Sequence, residues 1–185
     1  FFMPVVTARA AKASSATVLD LSCGSGLWTR RLTRSAKFST VYAGDYSDAM
    51  IVETLTRLKN DGLPTEGPTA PVVVRLDAGA LPFQSKGLST VHAGAALHCW
   101  PSAEDGVKEV YRVLEDGGRF YATTFLRTAY GLNPRLSGQT TNGFRFFQLD
   151  ELRDIMTGAG FAEEDVDVRK VGNGCAIVKC IKKAA

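Results

Sequence analysis

The sequence is poor in the residues that build metal centres and cross-links, with two histidines and four cysteines in 185 residues. Cys23, Cys99, Cys175 and Cys180 form no CxxC pair, so neither a zinc site nor a disulfide framework is expected, and a reducing, intracellular compartment is the simplest reading. No apolar run approaches the roughly 18 to 20 residues needed to span a bilayer, and Phe1 to Ala16 lacks the ordered regions of a secretory signal. A soluble chain with no integral membrane segment is therefore expected. Charge of one sign is also missing: 22 basic and 19 acidic residues leave a net +3 with no block of either kind. Without an electrostatic footprint for nucleic acid or an anionic membrane, the expected partners are small molecules. Repeats and low-complexity tracts are absent too, and 45% apolar residues suit one domain over 1–185 with a sizeable core.

What is present is an alternation of strand and helix patterns, which predicts an α/β fold. Strands are expected at Val18–Leu21, Thr40–Ala43, Val72–Leu76, Leu88–His92 and Arg119–Phe125. Helical spacing connects Ile51, Leu55 and Leu58, then Val107, Val110, Tyr111 and Leu114, then Leu149, Leu152, Ile155, Met156 and Ala159. Ser102 followed by Asp105 resembles a capping box for the second helix, while Gly117-Gly118 and Gly160 look like stops for the second and third. Near the end, Glu164–Val171 and Cys175–Lys182 are separated only by Gly172-Asn173-Gly174. That is a hairpin, too short for a parallel crossover, so the sheet should be mixed with an antiparallel last strand. The Gly-, Asn- and Thr-rich stretch from Arg127 to Phe147 has the length of a lid or binding loop.

The stretch TVLDLSCGSGLW places two glycines one residue apart at the end of the first strand. A dinucleotide fingerprint needs a third glycine, but Thr29 stands there, and no P-loop lysine follows, so a phosphate ligand is disfavoured. What remains is a glycine turn that lets a ligand lie against backbone at the carboxyl ends of the strands. Asp45, ending the second strand 19 residues after Gly26, is placed to accept both hydroxyls of a ribose. Asp77, ending the third beside Ala78, could face an adenine amine. Together these describe a nucleoside site without a pyrophosphate clamp.

The segments DLSCGSG, GDYSDAM, LDAGALPF, HAGAALHCWP and VLEDGGRF resemble class I S-adenosylmethionine-dependent methyltransferases over roughly residues 17 to 182. The resemblance is closest to the branch of the ubiquinone and menaquinone C-methyltransferases, and the HAGAALHCWP wording resembles uncharacterised plant and algal plastid members. It implies a Rossmann-like three-layer sandwich with a seven-stranded mixed sheet, and a plastid location. It also implies that Asp20, Ser22, Cys23, Gly24, Ser25 and Gly26 hold the methionine part of S-adenosyl-L-methionine. Asp45 would take the ribose, Tyr46, Ser47 and Met50 would edge the nucleoside, and Asp77 and Ala78 would meet the adenine. Gly94, Ala95 and Ala96 would border the sulfonium, and the product would be S-adenosyl-L-homocysteine. Two features depart from the pattern. Ser22 replaces the first glycine of GxGxG, and the chain starts about 16 residues before its first strand, where relatives usually have helices that help close the site.

His98 follows the fourth strand where the resembled family's pocket begins and is the candidate general base, whereas His92 alternates along the strand and reads as structural. Cys23 reads as a packed residue rather than a nucleophile. Trp100, Phe144, Phe146 and Phe147 are candidates for the substrate side or for core packing. Missing an [NDS]PP[FY] segment, the chain is not expected to methylate exocyclic amines of nucleic acids. A small acceptor, quinone-like or phenolic, is expected, with two rivals: a noncatalytic S-adenosylmethionine-binding module and an NAD-dependent oxidoreductase using the same Asp45.

Overall fold

The structure is a computed structural model that describes residues 16–127, 140–141 and 143–184. Nine strands and four helices run in the order β1 (Thr17–Leu21), α1 (Leu27–Ser35), β2 (Thr40–Asp45), α2 (Asp48–Asn60), β3 (Val72–Arg75), β4 (Leu88–Ala93), α3 (Ala103–Val113), β5 (Leu114–Phe125), β6 (Thr140–Thr141), β7 (Phe144–Arg145), α4 (Leu149–Gly158), β8 (Val166–Val171) and β9 (Cys175–Ile181). Seven of the strands form one sheet in the order β3-β2-β1-β4-β5-β9-β8. Its β3-to-β5 part is parallel, and β9 pairs antiparallel with both β5 and β8. The hairpin read from Gly172-Asn173-Gly174 is thus present, and it makes the sheet mixed.

Register decides what each face carries, because side chains alternate along a strand. Leu19, Val91 and Phe120 are neighbours across β1, β4 and β5, and all three belong to the core cluster that includes Val107, Val110 and Val113 of α3 and Leu152 and Met156 of α4. One residue further along, Asp20, His92 and Tyr121 are neighbours on the opposite face, where Trp28 of α1 packs against His92. β1 is buried at Val18, Leu19, Asp20 and Leu21 alike, as a central parallel strand covered on both faces must be. The result is a three-layer sandwich, and parallel order brings the carboxyl ends of β1 to β5 to one rim.

The structure differs from the sequence expectations at several boundaries. Leu114 belongs to β5 rather than to the preceding helix, and Gly117-Gly118 lie inside that strand rather than acting as a helix stop. The apolar spacing Val110, Val113, Leu114 runs unbroken across a junction with no connecting loop, which hides the switch from helical to extended backbone. Gly117 is needed where it stands: its φ of 81° accommodates a register shift between β4 and β5, and its N–H donates to Lys182 O at 2.6 Å. Ser102 caps α3 by accepting from Asp105 N–H at 3.1 Å. A reciprocal capping box forms instead at α4, between Gln148 and Glu151. Ala159 is the C-cap of α4 rather than a member of it. The expected lid between Arg127 and Phe147 lies largely outside the described residues. Its return through β7 is fixed by Arg145, whose guanidinium bonds Glu104 of α3 at 2.8 Å and Glu151 of α4 at 2.8 Å while stacking over Phe147.

Candidate functional site

Three of the five residues from Ser22 to Gly26 adopt left-handed backbone: Ser22 (φ 58°), Gly24 (φ 55°) and Gly26 (φ 73°). The two glycines serve different ends. A Cβ on Gly26 would fall 2.8 Å from Cγ2 of Thr54, so this glycine lets α1 start tight against α2. A Cβ on Gly24 would meet nothing within 4 Å, because that position faces the open rim. The turn is pinned from three sides, by Cys23 N–H to Gly44 O at 3.0 Å, Thr54 Oγ1 to Gly24 O at 2.8 Å, and Gly24 N–H to Asp45 Oδ2 at 2.9 Å.

Asp45 also accepts Ser47 N–H on Oδ1 at 2.9 Å, so both of its oxygens are aimed by backbone donors. A carboxylate oxygen has two lone pairs, and each of these keeps one for a ligand hydroxyl. Asp77 is exposed at the end of β3, with Oδ1 accepting Gly79 N–H at 2.9 Å. On the other side of β1, the end of β4 turns through Ala95, whose positive φ of 52° is held by its N–H donating to Thr123 Oγ1 at 2.8 Å. Ser22, at the position where the resembled motif has glycine, accepts Trp100 Nε1–H at 2.9 Å. That bond offsets its strained backbone and ties the glycine turn to the segment after β4.

These elements enclose a cavity of about 670 Å³. Of the expected cofactor residues, Ser22, Cys23, Gly24, Asp45, Tyr46, Asp77, Ala78, Gly94, Ala95 and Ala96 line it. Asp20, Ser25, Gly26, Ser47 and Met50 do not. Asp20 is 2% exposed, with Oδ2 accepting from Thr29 Oγ1 at 2.6 Å and Oδ1 bonded to His92 Nδ1 at 2.8 Å. Ser47 caps α2 by accepting from Met50 N–H at 3.4 Å. Leu27, Trp28, Leu76, Cys99, Pro101 and Thr123 line the cavity although the sequence reading did not single them out. Trp28 could have been found from its place one residue inside the helix after the glycine turn, but Thr123 becomes visible only once β5 is paired with β4.

The remaining candidates separate clearly. His98 is buried outside the lining, its Nδ1 3.4 Å from Thr124 Oγ1 and its ring against Phe125 and Phe144, and burial holds its imidazole below the usual value. Trp100 lines the cavity, whereas Phe146 and Phe147 are buried elsewhere and Phe144 packs on His98. Burial pushes the Cys23 thiol up to about 12, with a hydrogen bond from Thr54 opposing and Asp20 and Asp45 adding to it, so this cysteine is no nucleophile. Burial and the charge of Asp45 likewise raise the Cys99 thiol. Among the described residues no group of three or more His, Cys, Asp or Glu could hold a metal ion, and no helix is long and apolar enough to cross a membrane.

Residues 19–122, which hold every lining residue up to Pro101, match the family model described as a methyltransferase domain. The chain belongs to this methyltransferase family. An uncharacterized chloroplastic methyltransferase of Arabidopsis thaliana is 39% identical over 156 residues, covering 82% of this chain and 44% of its own length. The chain thus spans less than half the length of that relative. A ubiquinone/menaquinone biosynthesis C-methyltransferase of Desulfotalea psychrophila is 28% identical over 184 residues, covering 85% of this chain and 70% of its own. Among solved structures, phosphoethanolamine N-methyltransferase 2 of Haemonchus contortus, in complex with S-adenosyl-L-methionine, matches with a TM-score of 0.72 at 12% identity, covering 97% of this chain and 51% of its own, and so shares the methyltransferase fold.

Proposed function

We propose that this methyltransferase transfers a methyl group from S-adenosyl-L-methionine to a small-molecule acceptor and releases S-adenosyl-L-homocysteine. The observation that carries the reading is the coupling of Gly24 to Asp45: an open backbone position and an aimed carboxylate, joined by one 2.9 Å hydrogen bond. Asp45 would accept from the ribose hydroxyls, Asp77 from the adenine amine, and the uncovered face of Gly24 would admit the chain that leaves the ribose. Gly94, Ala95 and Ala96 would stand beside the transferred methyl. The bound cofactor supplies an already activated methyl group. The protein therefore has to orient the acceptor in line and keep water out, tasks that fit the apolar walls of Leu27, Leu76 and Trp100.

No imidazole or amine is among the residues lining the cavity, which supports positioning rather than side-chain base catalysis as the mechanism. The general-base role expected for His98 would require its ring to turn away from Thr124 toward the acceptor. The name of the Desulfotalea relative favours a quinone-like acceptor and that of the Arabidopsis relative a plastid location. Calorimetric titration with S-adenosyl-L-methionine and with NAD tests the cofactor, and mass spectrometry of co-purified small molecules tests the acceptor class. Binding of NAD without S-adenosyl-L-methionine would overturn the reading, and cofactor binding without transfer to any quinone or phenol offered would reduce it to a binding module.

A further inference from the structure

One polar atom beside the cavity has no use for its lone pair. The Nε2 atom of His92 is buried without a hydrogen-bond partner, on a side chain only 7% exposed. The rest of the ring is firmly placed. Its Nδ1 lies 2.8 Å from Asp20 Oδ1, and Asp20 is held in turn by Thr29 Oγ1 at 2.6 Å. Because a carboxylate only accepts, Nδ1 carries the proton and Nε2 presents an unpaired acceptor. Tyr121 stacks on one side of the ring at 5.8 Å and Trp28 tilts over it at 4.9 Å. The edge bearing Nε2 abuts Gly94, where an added Cβ would lie 3.3 Å from Nε2 and 2.8 Å from Cε1. Gly94 and Trp28 both line the cavity, so only the 41%-exposed indole of Trp28 and the bare backbone of Gly94 stand between Nε2 and the ligand space. An unpaired buried acceptor is costly unless something supplies a donor.

Sheet order says which donor. Asp45 ends β2, and His92 lies near the end of β4 with β1 between them, about two strand spacings or roughly 10 Å away. With the ribose at Asp45, the part of the cofactor that reaches this far across β1 is its amino-acid tail. We infer that His92 Nε2 accepts a hydrogen bond from the α-ammonium group of that tail, with Trp28 swinging aside to admit it. Asp20 acts through His92: with both oxygens engaged and 2% exposure it does not meet the ligand itself, but its charge favours the imidazole facing a cation. This inference rests on the methyltransferase reading of the cavity.

The test compares two ligands that share the adenosine and thioether but differ in the tail: S-adenosyl-L-homocysteine, which carries the ammonium, and 5′-methylthioadenosine, which lacks the amino-acid group. In His92→Phe, affinity for S-adenosyl-L-homocysteine should fall about ten- to hundredfold, while that for 5′-methylthioadenosine stays within about twofold. Wild-type protein provides a reading independent of that variant's folding. With two histidines in the chain, ¹⁵N-histidine spectra hold only two imidazoles, assigned by His98→Gln. Nε2 of His92 should resonate as an unprotonated ring nitrogen and move on addition of S-adenosyl-L-homocysteine but not of 5′-methylthioadenosine. Equal losses for both ligands in the variant, or an Nε2 resonance indifferent to S-adenosyl-L-homocysteine, would overturn the assignment while leaving the cofactor reading intact. Failure of wild-type protein to bind either ligand would take down both.

Discussion

The two halves of the rim, either side of β1, are built on opposite principles. On the β2–β3 side the polar groups are already satisfied and aimed: Asp45 bonds two backbone N–H groups, Asp77 a third, and Thr54 fixes the carbonyl of Gly24. On the β4 side the structure holds strain and unmet capacity, in the left-handed Ala95 and in the orphaned Nε2 of His92. The difference teaches which half is preorganised. A ligand portion of constant shape, such as a nucleoside, gains affinity from a site that needs no reordering, whereas the half beside the reacting atoms must admit and release groups. Strain and unpaired atoms persist where surrounding structure over-determines them, and here β5 does so through Thr123.

The sharpest way to break this contrast is at Asp45. Asp45→Ala removes the carboxylate that orders both Gly24 and Ser47 and would accept the ribose. Affinity for S-adenosyl-L-methionine should fall at least tenfold, since each hydrogen bond to a charged group is worth about 1.5 to 3 kcal/mol before water compensates. An unchanged dissociation constant in folded protein, measured by calorimetry, would remove Asp45 from the site and end the preorganisation argument with it.

Next come the two glycines, which separate binding from folding. At Gly24 a side chain meets no protein atom within 4 Å, so Gly24→Val should project into ligand space and cost about tenfold or more in cofactor affinity, beside a backbone strain of roughly 1 to 2 kcal/mol. At Gly26 the added atom runs into Thr54, so Gly26→Ala should lower unfolding stability by about 2 kcal/mol or more and affect affinity only through that loss. Urea unfolding paired with ligand titration reads both. If Gly26→Ala weakens binding more than Gly24→Val at equal folded fraction, the assignment of the open face to Gly24 is wrong.

A smaller effect is expected at Ser22, where strain and hydrogen bonding oppose each other. Ser22→Gly relieves roughly 1 to 2 kcal/mol of left-handed strain but leaves the indole N–H of Trp100, a residue 7% exposed, without its acceptor at a cost of about 1 to 3 kcal/mol. The two nearly cancel, so stability should change by less than about 1 kcal/mol. Ser22→Ala keeps the strain and loses the bond, and should be the less stable of the two in chemical denaturation. The reverse order would mean that Trp100 finds another acceptor.

How much of this was legible in the sequence follows the range of the interactions involved. The glycine turn, Asp45 and Asp77 sit at strand ends that periodicity marks, so local pattern places them, and the closing hairpin is written in three consecutive turn residues. The Asp20–His92 pair joins residues 72 apart, and it exists only because β1 and β4 are neighbours in register, which alternation along a single strand cannot reveal. The role of Ser22 was hidden for the same reason, its partner Trp100 being 78 residues away. The extension of β5 back to Leu114 was masked by apolar spacing that suits a helix until the backbone changes.

The smallest expected effect is a pH dependence, and it tests whether the two histidines differ as their surroundings do. His98 is packed against Phe125 and Phe144 with no carboxylate bonded to it, and burial lowers its affinity for a proton below the ordinary value of 6.5. The sign follows from which state binds the proton. As pH falls through 6.5 the unfolded chain protonates this imidazole while the native chain resists, so stability falls with pH until the native imidazole also protonates, and above 6.5 the residue contributes no slope. His98→Gln should therefore flatten the loss of stability between about pH 7 and 5.5, leaving carboxylate-linked losses at lower pH in place. Denaturant unfolding at half-unit steps, wild type against variant, measures it. A steeper loss in the variant would mean that His98 gains a partner for its charged form, and would restore it as a group able to hold a proton during the reaction.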